Sequence, residues 1–271
     1  MPRLPALAVL LLVTPLLITP ARAAEPVTHL LPAEAMVERM LRAAKLGPAD
    51  YLVDLGSADG RVALAAARRF GARALGIEAD AALAALSAQR TRSMGLTGRV
   101  NFVHGDALEA DFSAANVVVV SLMSESVLRL APRLLALRPG SRVLALQAGL
   151  GEWAPDDVLS VENRTAYLWI VPALANGLWQ LSLHGSGSRR DDRLRIAQRY
   201  QAVEGELLAG GDALPLADVT LRGDLITFAV SDRRGNLRRF FGRIQGDRIS
   251  GSSQAAGGAT RKWEARRMAP R

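Results

Sequence analysis

The stretch from Tyr51 to Asp80, YLVDLGSADGRVALAAARRFGARALGIEAD, sets a short apolar run against a glycine-bearing loop, an alanine-rich segment and a second apolar run that ends on Glu78. Short apolar runs bounded by glycine suit buried strands, and the alanine-rich segment between them suits a helix. In a strand–loop–helix unit, backbone N–H groups and the positive end of the helix dipole converge on the loop, which makes a ready site for an anion or a nucleotide. Glycine permits backbone conformations and close approaches that a side chain blocks. Ala58 nevertheless stands in the middle of this loop, where a glycine is expected. Asp54-Leu55-Gly56-Ser57-Ala58-Asp59-Gly60 is neither a lysine-type phosphate loop nor the full dinucleotide fingerprint. Glu78 follows on the order of 20 residues later, the spacing at which a carboxylate accepts hydrogen bonds from ribose hydroxyls. Asp106, in HGDA at the end of a third apolar run, is placed to reach an adenine amino group. Three carboxylates with little basic character nearby disfavour a pyrophosphate and favour a cationic nucleoside. Asp59 divides between two roles, a ligand contact in the loop or a cap on the helix that begins at Gly60 or Arg61.

The same alternation continues on both sides. Upstream, Met36, Val37, Met40, Leu41 and Ala44 recur at helical spacing between Pro32 and Lys45. Downstream, ALAALSAQRTRSMGL and SVLRLAPRLLAL read as helices, and VNFVHGD, NVVVVSL and SRVLALQA as strands. Strands alternating with helices predict an α/β fold: a Rossmann-like, mostly parallel sheet with helices on both faces. Beyond Trp153 the texture changes. TAYLWIVPA and GLWQLSLH read as a hairpin through Asn176-Gly177 that closes this sheet, and no helix pattern follows the Gly/Ser stretch at 185–188. LRGDLI and IQGDRI each put Gly-Asp where a two-residue hairpin turn needs it. The expectation is a small C-terminal antiparallel β meander or half-barrel, beginning near Arg189 or as early as Trp179, with its arginines on a solvated face. The predicted division is a signal segment over 1–23, an α/β domain over 24–184 and a β domain over 185–271.

The formal charge of +8 comes almost wholly from arginine, since Lys45 and Lys262 are the only lysines. Sparse aromatics beside those arginines argue against a nucleic-acid partner. The chain has no cysteine, and its three isolated histidines, His29, His104 and His184, predict no metal site. The amino terminus MPRLPALAVLLLVTPLLITPARAAEP has Arg3, an apolar run interrupted by Pro15, and Ala21-Arg22-Ala23. That is the layout of a secretory signal cleaved after Ala23 or one residue later, which predicts export to a bacterial periplasm with no membrane span afterwards. An uncleaved signal would instead anchor the chain in the membrane.

DLGSADGR, GIEAD and VHGDALEADF resemble motifs of the class I S-adenosylmethionine-dependent methyltransferases. Within them the chain is most similar to a DLGSGDGR group that includes bacterial exported proteins and mitochondrial protein-lysine methyltransferases. LPAEAMVERML, LRLAPRLLALRPGSRV, EWAPD and RTAYLWIVPA extend the resemblance across Pro32 to Leu183. It implies S-adenosylmethionine as cofactor, with Asp54, Gly56, Ser57 and Gly60 along its methionine part, Glu78 on its ribose and Asp106 on its adenine. It also implies a protein or small amine as methyl acceptor. Ala58 departs from the pattern and predicts a crowded loop. Ser121-Leu122-Met123-Ser124-Glu125 departs too, where relatives carry an aromatic residue and a proline near the acceptor, and leaves Ser124 and Glu125 as candidates to orient an amine. A competing reading is a non-catalytic exported module whose β domain binds a partner, because export separates an enzyme from a cofactor made in the cytosol.

Overall fold

The computed structural model describes residues 33–184 and 192–269. The expected signal segment and the Gly/Ser stretch lie outside the described residues. The first unit runs α1 (Glu34–Ala43), β1 (Tyr51–Leu55), α2 (Arg61–Phe70), β2 (Arg73–Glu78), α3 (Ala81–Ser93), β3 (Val100–His104), β4 (Val117–Val120), α4 (Ser124–Leu135), β5 (Arg142–Leu146), β6 (Asp157–Val161) and β7 (Arg164–Ile170). Its sheet has the order β3-β2-β1-β4-β5-β7-β6. β1 to β5 are parallel, whereas β7 runs antiparallel to β5 and to β6. β6 is not evident from the sequence pattern, because DVLSV is short and mostly exposed at the sheet edge.

Side chains alternate across a strand, and here both faces are apolar. Leu52, Val117, Val119 and Leu144 pack with α1 and α2 on one face. Val53, Val118, Val120 and Val143 pack on the other with Val127, Leu130 and Leu134, which share one side of α4. A sheet buried on both faces explains the unbroken apolar runs of its strands.

The second unit comprises β8 (Gly177–Leu183), β9 (Asp192–Arg199), β10 (Ala202–Ala209), β11 (Asp212–Pro215), β12 (Ala217–Arg222), β13 (Leu225–Ser231), β14 (Leu237–Gln245), β15 (Arg248–Ala255) and β16 (Arg261–Arg267). They form one antiparallel sheet in the order β11-β10-β9-β8-β16-β15-β14-β13-β12. Its two edge strands adjoin in sequence, and Leu216 N between them donates to Gly205 O at 2.9 Å, so the sheet curls into a nearly closed barrel. The expected hairpin closing the first sheet is corrected here: β8 pairs with β9 and β16, not with β7. The division between the sheets therefore falls in 171–176, before GLWQLSLH rather than after it. Both Gly-Asp turns form as expected, between β12 and β13 and between β14 and β15.

The barrel interior holds Trp179, Leu194, Ile196, Ile226, Ile244 and Trp263. Phe228 and Phe240 stack at 4.7 Å, and Trp263 meets each edge-on at 5.7 and 5.4 Å. One end of the barrel docks on the first unit. Gly223 O in the β12–β13 turn accepts from Ala173 N at 2.8 Å. Tyr200 in the β9–β10 turn stacks on Trp153 at 6.2 Å, and Gln201 Nε2 donates to Ala154 O.

Candidate functional site

The carboxyl ends of β1, β2, β3 and β4 bring the expected residues to one edge of the first sheet. Gly56 (φ 78°) and Gly60 (φ 77°) turn the chain from β1 into α2 through left-handed conformations that glycine adopts without steric cost. Space also demands a glycine at 56, since an added Cβ would lie 2.6 Å from Leu122 Cδ2 and 3.0 Å from Ser121 O. Gly56 N and Ser57 N both donate to Ile77 O at 3.0 Å, which ties the loop to β2.

Ala58 has φ 48° and is buried. An L-residue in that conformation costs roughly 1–2 kcal/mol, which is the physical reason to expect glycine there. The loop keeps its shape because Ala58 N donates to Glu78 Oε2 at 2.6 Å and Ala58 O accepts from Ser87 Oγ at 3.2 Å. The methyl group therefore strains the loop without unfolding it. Glu78 is itself buried, and its Oε1 accepts from Asp80 N at 2.9 Å. A carboxylate has about four acceptor sites, so Glu78 retains capacity for ribose hydroxyls while it holds the loop.

Asp54 is fully buried, and neither of its carboxylate oxygens has a partner among the described residues; the same holds for Ser57 Oγ. Burial, reinforced by the Glu78 and Asp59 carboxylates, pushes the Asp54 carboxyl up to about 8. An unpaired buried polar group costs roughly 1–3 kcal/mol, so these oxygens form a concave acceptor set that a cationic, donor-bearing ligand would satisfy. The methionine end of S-adenosylmethionine, with an ammonium and a sulfonium, has that chemistry and fits. Asp106 is exposed at the end of β3, where its Oδ1 accepts from Leu108 N at 2.8 Å; Gly105 N donates to Glu78 O at 2.9 Å and holds this corner beside the ribose position.

Asp59 takes the second of its two expected roles. Its Oδ2 pairs with Arg61 Nη2 at 2.8 Å and Arg90 Nη1 at 3.5 Å, and its Oδ1 accepts from Arg61 N at 3.3 Å. Burial pushes its carboxyl up, but the two arginines outweigh this and leave it below the usual range. Its oxygens are thus committed to the start of α2, in contrast to those of Asp54. Ser124 and Glu125 open α4 and are exposed beside exposed Met123, on the sheet edge that the glycine loop shares. His104 lies with Nε2 3.1 Å from Ala79 O, and Trp169 Nε1 donates to Trp153 O at 2.7 Å, so both tryptophans are packing residues. Sequence reasoning missed Ser87, Arg90 and Leu122. The signal for the first was available: Ser87 and Thr91, four apart on one face of α3, are buried polar residues.

Comparison with known proteins agrees with this geometry. Residues 54–157 match the ANTKMT methyltransferase domain family. A protein-lysine N-methyltransferase of Saccharolobus islandicus (strain REY15A) is 35% identical over 144 residues, which span 51% of this chain and 89% of that protein. An ATP synthase lysine N-methyltransferase of Mus musculus is 36% identical over 121 residues; that match covers 44% of this chain and only 47% of the mouse protein. A crystal structure of an RNA methyltransferase from Salinibacter ruber in complex with S-adenosyl-L-homocysteine superimposes with a TM-score of 0.51 at 38% identity, covering 52% of this chain and 94% of that one.

Proposed function

Since the chain belongs to the class I S-adenosylmethionine-dependent methyltransferases, we propose that its acceptor is a lysine side-chain amine of a protein. The observation that carries the reading is the buried, unpartnered Asp54 carboxylate at the head of the glycine loop. The names of the Saccharolobus and mouse relatives support the acceptor class. S-adenosylmethionine supplies, when bound, a methyl group already activated on a sulfonium. Asp54 and Ser57 would hold its methionine end, Glu78 its ribose and Asp106 its adenine. The work left to this chain is alignment, exclusion of water and keeping the amine unprotonated. Ser124 and Glu125, at the open end of β4, are the groups we assign to orient that amine, and exposed Met123 offers its alkyl stem an apolar contact.

The test pairs calorimetric titration with S-adenosylmethionine and incubation of the enzyme with methyl-labelled cofactor and protein acceptors, followed by acid hydrolysis. The expected result is micromolar binding and labelled methyl-lysine, both lost in Asp54→Ala. Label confined to RNA or small molecules would overturn the acceptor; absence of binding would overturn the site. We also infer export of this enzyme, from the Arg3, apolar run and Ala21-Arg22-Ala23 layout. Amino-terminal sequencing of protein from cells should begin at or next to Ala24, and a start at the initiator end would refute it.

A further inference from the structure

The end of the barrel opposite the docked one is an open well of about 910 Å³. This is the end where β8 finishes, β9 and β16 begin, and β13 hands over to β14. Leu181, Leu207, Leu214, Val230 and Phe240 line the well, and below Phe240 the aromatic group of Phe228 and Trp263 closes its floor. Strand parity should make inward positions apolar, as Phe240 and Ile244 are on β14 and Trp263 and Ala265 on β16. Two positions break that rule. Arg238 occupies the inward row of β14, half-buried, and Arg261 the inward row of β16 at the rim. This corrects the expectation that the arginines of this unit all face solvent.

Arg238 Nη1 reaches Ser253 Oγ, a fully buried hydroxyl, at 3.2 Å, and no carboxylate among the described residues pairs with it. Burial, then the neighbouring charge of Arg261, pulls the Arg238 guanidinium below its usual value, so the local field in the well is positive. Asp192 and Asp232 also stand at the rim, but Asp232 accepts from Asn236 Nδ2 and from Arg234 N, both at 2.9 Å. A barrel mouth of a few hundred to about 1,000 Å³ with apolar walls and one or two directed polar groups is where small ligands bind. An inward arginine with no anion of its own adds a requirement for negative charge.

We propose that the barrel is a second ligand site, separate from the methyltransferase site, which takes a molecule with a single alkyl chain and an anionic head. The chain lies against Leu181, Leu207 and Phe240, and the head meets Arg238 and Arg261. A free fatty acid and a lysophospholipid share this chemistry, and the experiment separates them. The full chain is titrated by calorimetry with palmitate, hexadecanol and lysophosphatidate, beside Arg238→Gln, Arg238→Lys and Leu207→Trp. Palmitate should bind at one per chain, about tenfold more tightly than hexadecanol. Arg238→Gln should remove that preference without changing hexadecanol affinity, Arg238→Lys should keep most of it, and Leu207→Trp should block both ligands. Tighter binding of lysophosphatidate than palmitate would bear the site out with a membrane lipid as its source. No palmitate binding, or equal binding of acid and alcohol to the native chain, would overturn the proposal. So would an unchanged preference in Arg238→Gln, its fold verified by an unaltered unfolding temperature and S-adenosylmethionine affinity.

Discussion

The glycine-loop edge and the barrel floor handle buried polar groups in opposite ways. At the loop, Asp54 is sealed from water with both oxygens unpaired. In the barrel, Trp263 Nε1 donates to Phe241 O and Ser252 O at 3.0 and 3.1 Å, and Trp179 Nε1 to Ala175 O at 2.8 Å. Buried donors and acceptors in a structural core are satisfied almost without exception. The floor follows that rule because its task is to hold nine strands in register, whereas the loop breaks it at the atoms a cationic ligand would complete. Unsatisfied polarity at the loop thus falls where ligand chemistry is, and satisfied polarity at the floor where only packing is required.

The comparison can be broken most forcefully from the barrel side. Trp263→Ala empties the space between Phe228 and Phe240 and should cost about 3–5 kcal/mol, read as a shifted denaturation midpoint. S-adenosylmethionine binding should survive if the first unit folds on its own core, and joint loss of both would show that the two regions are one cooperative unit.

Next in size is the Asp54 effect. The folded chain keeps the Asp54 proton to about pH 8, whereas the unfolded chain releases it near its ordinary value of 3.8. Stability linked to Asp54 is therefore complete below pH 4 and declines as pH rises toward 8. The decline is about 1.4 kcal/mol per pH unit, or about 3 kcal/mol between pH 5 and 7. Asp54→Asn should flatten that difference in urea melts across this range; an identical slope in the variant would mean Asp54 is already ionised. A cationic ligand requires the ionised form, so S-adenosylmethionine affinity should rise from pH 6 to 8 with release of a proton, detectable as a buffer-dependent heat.

Smaller still, Ala58→Gly relieves the left-handed alanine and should raise stability by about 1 kcal/mol in thermal unfolding, with cofactor affinity equal or tighter. A destabilised variant would mean that chain entropy outweighs the strain. The smallest effect is expected for Arg199→Ala, which removes an ion pair with Glu152 exposed on both sides (70% and 72%). Such pairs contribute less than about 1 kcal/mol, so docking of the barrel should not change measurably.

Much of the first unit was legible because each of its elements announces its own period and its own punctuation. The loop from Asp54 to Gly60, the acidic strand ends at Glu78 and Asp106 and the helix at 124–135 all fall where the pattern puts them. The partner of β8 was not legible. Trp179, Leu181 and Leu183 alternate, which tells that one face is buried but not against which sheet, and β8 found its neighbours in β9 and β16. Arg238 was hidden for a similar reason. It is followed by Arg239, Phe240 and Phe241, so neither parity of β14 is purely apolar, and only the structure shows Phe240 inside and Phe241 47% exposed. The commitments of Asp54 and Asp59 could not be separated from residue type either. One lost its water without gaining a donor, while the other met arginines from α2 and α3, and that depends on how helices pack around the loop.

The placement of β16 beside β8, with Trp263 opposite Leu183, carries a consequence for the order of events during synthesis. All strands of the first sheet lie before Val171, so that sheet can assemble as soon as its own residues are free. The barrel cannot: its first strand must wait for its last, with seven others held in between. Pairing over such a sequence separation is slow and leaves strand edges exposed in the interval. A pulse-labelled chain should therefore acquire protease resistance in two steps, the methyltransferase unit first, and a chain halted short of Trp263 should stop after the first step with β8 unpaired and open to aggregation.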